Sequence, residues 1–141
     1  AHMARLAWLT GFTGSAGNAV ILADRAALIV DGRYTIQSQE QTDTAIVTPT
    51  RMEEMPLDRW IEANLPAGGR LGYDPWLHTV DGVAKLDKAA AAAGGTLVAV
   101  AQNPVDAIWR HRPVPPAAPV KAHRGDFAGE DAAGKLGRIQ E

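Results

Sequence analysis

The sequence predicts an α/β layer fold, with a partly parallel β-sheet and helices packed on it. Three observations point there. Short apolar runs alternate with stretches of helical periodicity from residue 19 to residue 101. The first two runs lie close enough in sequence to pair as a hairpin. The composition, 141 residues with 46% hydrophobic and 21% charged, is that of one globular core.

Taken in order, residues 19–23 and 26–30 read as two strands joined by Asp24-Arg25, although that pair lacks the glycine that tight hairpins favour. Asp31 is placed to cap a helix over residues 33–42, whose apolar face holds only Tyr34 and Ile36. Residues 45–48 read as a short strand stopped by Pro49. Pro56 opens the next helix, in which Leu57, Trp60, Ile61 and Leu65 fall on one face before residues 66–69 end it. Residues 70–73 form a strand leading to the turn Asp74-Pro75. Thr79 caps a helix through residue 93, with Val80, Val83, Leu86 and Ala90 inward and Gly94-Gly95 as its stop. Residues 96–101 are the last strand.

Beyond Trp109 the character changes. Five of the nine prolines lie between residues 104 and 119, which reads as an extended linker. In residues 129–141 the acids (Glu130, Asp131) precede the bases (Lys135, Arg138), the order that suits a helix dipole. The expected organisation is a cloning remnant at 1–3, a domain at 4–110, a Pro-rich linker at 111–126 and the start of a second domain at 127–141.

Composition excludes several classes. A net charge of −2 leaves no basic stripe for nucleic acid. No apolar run approaches the roughly 20 residues of a membrane helix, and nothing at the start reads as a secretory signal. The absence of cysteine removes disulfides and thiolate metal sites and fits the cytosol, the expected compartment. His78, His111 and His123 are far apart, and Glu53-Glu54 and Glu130-Asp131 are neighbours that cannot converge on one ion. No nucleophile elbow occurs, and the Arg124-Gly125-Asp126 tripeptide is read as chance. Of four tryptophans, Trp60 belongs to the core, and Trp76 is expected at the core's edge or lining a surface.

The densest signal is Gly11, Gly14 and Gly17 at three-residue spacing, ahead of an apolar strand. A dinucleotide or phosphate loop needs a strand before it and a helix after it, or a Gly-Lys-Ser/Thr, and this run has neither. It reads as a turn-rich way into the hairpin.

That run, Arg5-Leu6-Ala7-Trp8-Leu9-Thr10-Gly11-Phe12-Thr13-Gly14-Ser15-Ala16-Gly17, resembles the signature of Xaa-Pro aminopeptidases (aminopeptidase P) in its amino-terminal, creatinase-type domain. Asp31-Gly32-Arg33-Tyr34, Gly72-Tyr73-Asp74-Pro75, Asn103-Pro104-Val105-Asp106-Ala107-Ile108-Trp109 and Arg112-Pro113 follow in the family's order. Phe127-Ala128-Gly129-Glu130 resembles the way into its second domain. The resemblance implies a mixed sheet flanked by helices with a ribonuclease H-like motif. It also implies a first helix and strand ahead of Arg5, and unpaired edges without them would favour self-association. Catalysis in the family belongs to a carboxy-terminal pita-bread domain, where Asp, His and Glu side chains hold two divalent metal ions, typically manganese. None of those ligands can be placed on this sequence.

By that resemblance the chain is a non-catalytic domain of an enzyme that removes the residue preceding proline. Its partners would be its own catalytic domain, neighbouring subunits of a homo-oligomer, and peptides with proline second. The substrate-cleft candidates lie in the loop 12–17 and the segment 31–34, with Phe12 as an apolar wall, Arg33 to orient a carboxylate or carbonyl, and Tyr34 beside it. An internal ion pair of Arg33 with Asp31 or a helix-cap contact is the competing role. Two alternatives stay open: a stand-alone interaction module, or a domain of a prolidase- or creatinase-like hydrolase.

Overall fold

The computed structural model describes residues 4–140, so the remnant read at residues 1–3 lies outside them. The chain begins with helix α1 (Arg5–Thr10), followed by the hairpin strands β1 (Gly17–Ile21) and β2 (Ala26–Val30). A 3-10 turn (Gly32–Tyr34) runs into α2 (Thr35–Gln41), then β3 (Thr48–Arg51), α3 (Leu57–Asn64) and β4 (Arg70–Tyr73). A second 3-10 turn (Pro75–Leu77) precedes α4 (Val80–Ala92) and β5 (Thr96–Ala99). Three helices complete it: α5 (Pro104–Ile108), α6 (Gly125–Ala128) and α7 (Ala132–Gln140). The α/β class holds. The strands form a three-stranded sheet β1-β2-β3 and a two-stranded sheet β4-β5. β1 pairs antiparallel with β2, while β2/β3 and β4/β5 are parallel across helical crossovers.

β2 explains the layering. Its side chains alternate, so Ala27 and Ile29 join Trp60, Ile61 and Leu65 from α3 and Leu86, Ala89 and Ala90 from α4. Leu28 and Val30 face the other way, into a second core with Phe12, Val47, Leu6 and Tyr34. A strand covered on both faces needs an unbroken apolar run, and Ala27-Leu28-Ile29-Val30 supplies it. The Trp60/Ile61/Leu65 face of α3 is as the periodicity predicts.

Several expectations are corrected. The Leu22 amide donates to the Arg25 carbonyl at 2.8 Å, so the hairpin turn is Ala23-Asp24 and β1 starts two residues earlier than read. Residues 5–10 form a helix where a turn-rich run was read. Gly11, at φ 79°, ends it with its amide on the Ala7 carbonyl. The strand placed at residues 45–48 is β3, with Pro49 inside it. The Met52 amide donates to the Val30 carbonyl, so by alternation the Thr48 and Thr50 amides face β2 and the Pro49 nitrogen faces the open edge, where no donor is missed.

The helix expected over 33–42 opens as a 3-10 turn capped by Asp31. Ile36 is 71% exposed, and Ser38 and Thr42 take the buried positions. Val80 is exposed on α4, whose inner face is Leu86, Ala89 and Ala90. Within the proline-rich stretch, Pro104 starts α5 because Asn103 caps it by accepting the Val105 amide at 2.9 Å. Trp76 is 94% exposed, which overturns core-edge packing and leaves the surface reading.

Candidate functional site

The loop at residues 11–17 and the turn at 31–34 meet beyond the carboxyl end of β2. Each glycine of the loop answers a close approach. A Cβ on Gly11 would lie 2.4 Å from the Gln41 carbonyl oxygen, and one on Gly14 would lie 2.1 Å from the Phe12 ring. The loop is therefore folded down on Phe12 and against the end of α2. Polar ties hold it there. Gln41 Oε1 accepts from the Thr13 amide at 2.9 Å and from the Thr13 hydroxyl at 3.1 Å. Gln37 donates to both Thr13 Oγ1 and Gln41 Oε1, each at 3.1 Å. One helical turn separates Gln37 from Gln41, so both reach the same loop residue.

The three candidates occupy different environments. Phe12 has no exposed surface; it packs with Leu28, Val30 and Val47 and meets the Tyr34 ring edge-on at 5.5 Å. Its place corrects the wall proposed for it: within this chain Phe12 supports the loop from beneath and presents nothing to a ligand. Tyr34 lies half-buried over it, with its hydroxyl 2.7 Å from Ser15 Oγ. That hydrogen bond, ahead of the nearby Arg33 charge, draws the phenol below its ordinary pKa.

Arg33 is exposed, with its guanidinium 5.6 Å from the Tyr34 ring centroid. It also forms the competing ion pair. Arg33 Nε donates to Asp31 Oδ1 at 2.8 Å, and the same oxygen accepts the Arg33 amide at 2.9 Å. The paired guanidinium holds the Asp31 carboxyl below its usual range, and Asp31 raises Arg33 in return. Glu53 reaches across from the end of β3 to accept the Gly32 amide at 3.1 Å. Thr13 and Ser15 belong to the candidate loop at 12–17, whereas their partners Gln37 and Gln41, and Glu53, were not foreseen. The Gln37/Gln41 spacing was the one readable sign of them.

A recess of about 370 Å³ lies between α2 and the end of β3, and a groove of about 450 Å³ lies between β1 and β4. Neither is lined by Phe12, Arg33 or Tyr34. Arg33, Tyr34 and Ser15 thus make a firmly supported polar surface, able to meet a carboxylate, a carbonyl or another domain, and they enclose nothing themselves. Among the described residues no three His, Asp or Glu side chains gather as metal ligands, so residues 4–140 do not fit a two-metal centre. Among them, too, no helix is long and apolar enough to cross a membrane.

Residues 1–112 match the Creatinase/Prolidase N-terminal domain family. The chain belongs to that family. Its similarity to named members runs further along the sequence. It is 36% identical to human Xaa-Pro aminopeptidase 2 over 99% of this chain, and 39% identical to aminopeptidase P2 of Arabidopsis thaliana over 94%. It spans about a fifth of each, 21% and 19% of their lengths. Among solved structures it resembles the X-prolyl aminopeptidase of Caenorhabditis elegans, described as a cytosolic enzyme with a di-nuclear active site. The TM-score is 0.85 at 29% identity, over 98% of this chain and 23% of that one. The mixed α/β architecture of this creatinase-type domain is that of its relatives.

Proposed function

We propose that this chain is the non-catalytic amino-terminal domain of a metal-dependent Xaa-Pro aminopeptidase, an enzyme that releases the residue preceding proline. Residues 4–110 would wall the substrate cleft and support assembly, residues 111–126 would link, and residues 127–141 would open the second domain. The observation that carries this reading is near-complete alignment of the chain with about a fifth of a much longer aminopeptidase. The parent would be a cytosolic homo-oligomer whose catalytic domain holds two divalent metal ions, with manganese the proposed metal. The di-nuclear centre described for the worm enzyme supports the number of ions.

The Arg33–Tyr34–Ser15 surface suits this role because it is rigid, polar and open on one side. A cleft needs a second wall, and in this reading the catalytic domain or a neighbouring subunit provides it. Asp31 fixes the Arg33 guanidinium by Nε and Nη2 and leaves Nη1 out of those two contacts. That nitrogen can meet a peptide carbonyl or carboxylate.

Arg33→Ala in the full-length parent is expected to lower kcat/KM by about tenfold, the scale of one lost charge-assisted hydrogen bond, with Tm unchanged. An unchanged kcat/KM with an intact fold rejects the substrate role and leaves the Asp31 pair as the residue's whole purpose. The 141-residue chain, assayed on Xaa-Pro peptides with added manganese, is expected to show no turnover. Clear turnover would overturn the domain assignment. Sedimentation of the parent reads its assembly, and a monomer at working concentration removes the homo-oligomer from the proposal.

A further inference from the structure

Alternate residues of the loop at 11–17 meet the segment at 34–41. Gly11 lies close against the Gln41 carbonyl, Thr13 bonds to the Gln41 side chain, and Ser15 Oγ is 2.7 Å from the Tyr34 hydroxyl. Phe12, between the first two, is buried in the core. Packing therefore fixes the start of the loop. Thr13 is fixed differently, by the side chains of Gln37 and Gln41 at the surface. Between Thr13 and Ser15 stands Gly14, whose backbone has the widest conformational range, so the place of Ser15 relies on its neighbours' ties.

The polarity of the Thr13 network follows from one group. A backbone amide can only donate, so the Gln41 atom 2.9 Å from the Thr13 amide is the carbonyl oxygen. The side-chain donors then fall into line. Gln37 Nε2 donates to Thr13 Oγ1 at 3.1 Å, which leaves the Thr13 hydroxyl hydrogen for Gln41 Oε1, also at 3.1 Å. Gln37 Nε2 donates to that same oxygen at 3.1 Å. Three donors thus converge on Gln41 Oε1, one more than an amide oxygen has lone pairs. Removing this one atom releases the Thr13 amide, the Thr13 hydroxyl and Gln37 together.

We infer that Gln41 is a positioning residue for the Ser15–Tyr34–Arg33 surface: its Oε1 pins Thr13 so that Ser15 stays on Tyr34, and it thereby governs how tightly the parent enzyme holds a peptide. The inference rests on the substrate-cleft role proposed above for that surface. Gln41 acts through Thr13 and needs no contact with the peptide. Its loss should weaken binding and spare the chemical step, because in that reading the groups that cleave the peptide lie outside this chain.

The test begins with Gln41→Met, which removes the acceptor and keeps an unbranched, helix-forming side chain at an exposed position, so Tm should change little. In the 141-residue chain, hydrogen exchange of the Thr13 amide is expected to quicken about tenfold. The Tyr34 phenol, read by tyrosinate absorbance in a Tyr73→Phe background, should titrate closer to its ordinary value, because the Ser15 hydrogen bond that draws it down is weakened. Gln41→Glu keeps an oxygen in place and should leave Thr13 exchange slow. In the full-length parent, Gln41→Met should raise KM for an Xaa-Pro peptide about three- to tenfold with kcat unchanged, and Gln41→Glu should restore KM. A Tyr34 titration unmoved by Gln41→Met overturns the proposal, since Ser15 would then keep its place without the glutamine. So does an unchanged KM in a parent that cleaves the peptide. A parent that cleaves no Xaa-Pro peptide counts against the peptidase reading instead, and exchange and titration then decide whether Gln41 positions Ser15.

Discussion

Phe12→Ala is expected to destabilise the chain by about 3–5 kcal/mol, the usual cost of emptying a fully buried phenylalanine site. On a chain of this size that is a fall in Tm of roughly 10 °C or more. The effect should be at the upper end because Phe12 organises two elements. Its ring fills the core under β2 with Leu28 and Val30, and the loop folds down on it at Gly14. The same geometry predicts a coupling. Gly14→Ala alone should destabilise, since its Cβ would sit 2.1 Å from the ring. In the Phe12→Ala background that penalty should shrink, and a double-mutant cycle by urea unfolding reads the difference. Additive effects would mean that loop and ring do not bear on each other.

Phe12 also shows where sequence reading reaches and where it stops. The glycine spacing marked close approach correctly, and the objects approached are a side chain and a carbonyl of the same chain. Composition cannot distinguish these, because a glycine is needed in both cases. The buried run at residues 27–30 and the Trp60/Ile61/Leu65 face were legible because burial imposes its own period on the sequence. Pro49 misled for the opposite reason. A proline breaks a central strand and is harmless on an edge, and edge position depends on strand pairing, here Pro49 beside Leu28, that the local sequence cannot show. In the site, Asp31 beside Arg33 was readable as a local cap or pair. Ser15 against Tyr34 and Glu53 against Gly32 were not, since each joins residues separated by a whole supersecondary unit.

A contact between residues 101 apart in sequence supports the second large prediction. Arg5 opens α1 and reaches Asp106 of α5, with Nε 2.7 Å from Oδ1 and Nη2 2.8 Å from Oδ2. Arg112 joins the same carboxylate at 2.6 Å, and all three side chains are mostly shielded from solvent. Beside them Trp8 stacks on Trp109 at 5.4 Å. A two-pronged, partly desolvated pair is worth more than a solvated one. Asp106→Ala should therefore cost about 1–3 kcal/mol by withdrawing that carboxylate from two guanidinium groups. The pH dependence fixes its sign. Hydrogen bonding from Arg5 lowers the Asp106 pKa on folding, so folding favours the ionised carboxylate. Its contribution is complete above the unfolded-state pKa of about 3.9 and is lost as pH falls through the lower folded value. The stability gap between the wild-type chain and Asp106→Asn should thus be full at pH 6 and close progressively in acid. No gap at pH 6 would show that packing of Trp8 on Trp109, which both proteins share, and not the charge, joins α1 to α5.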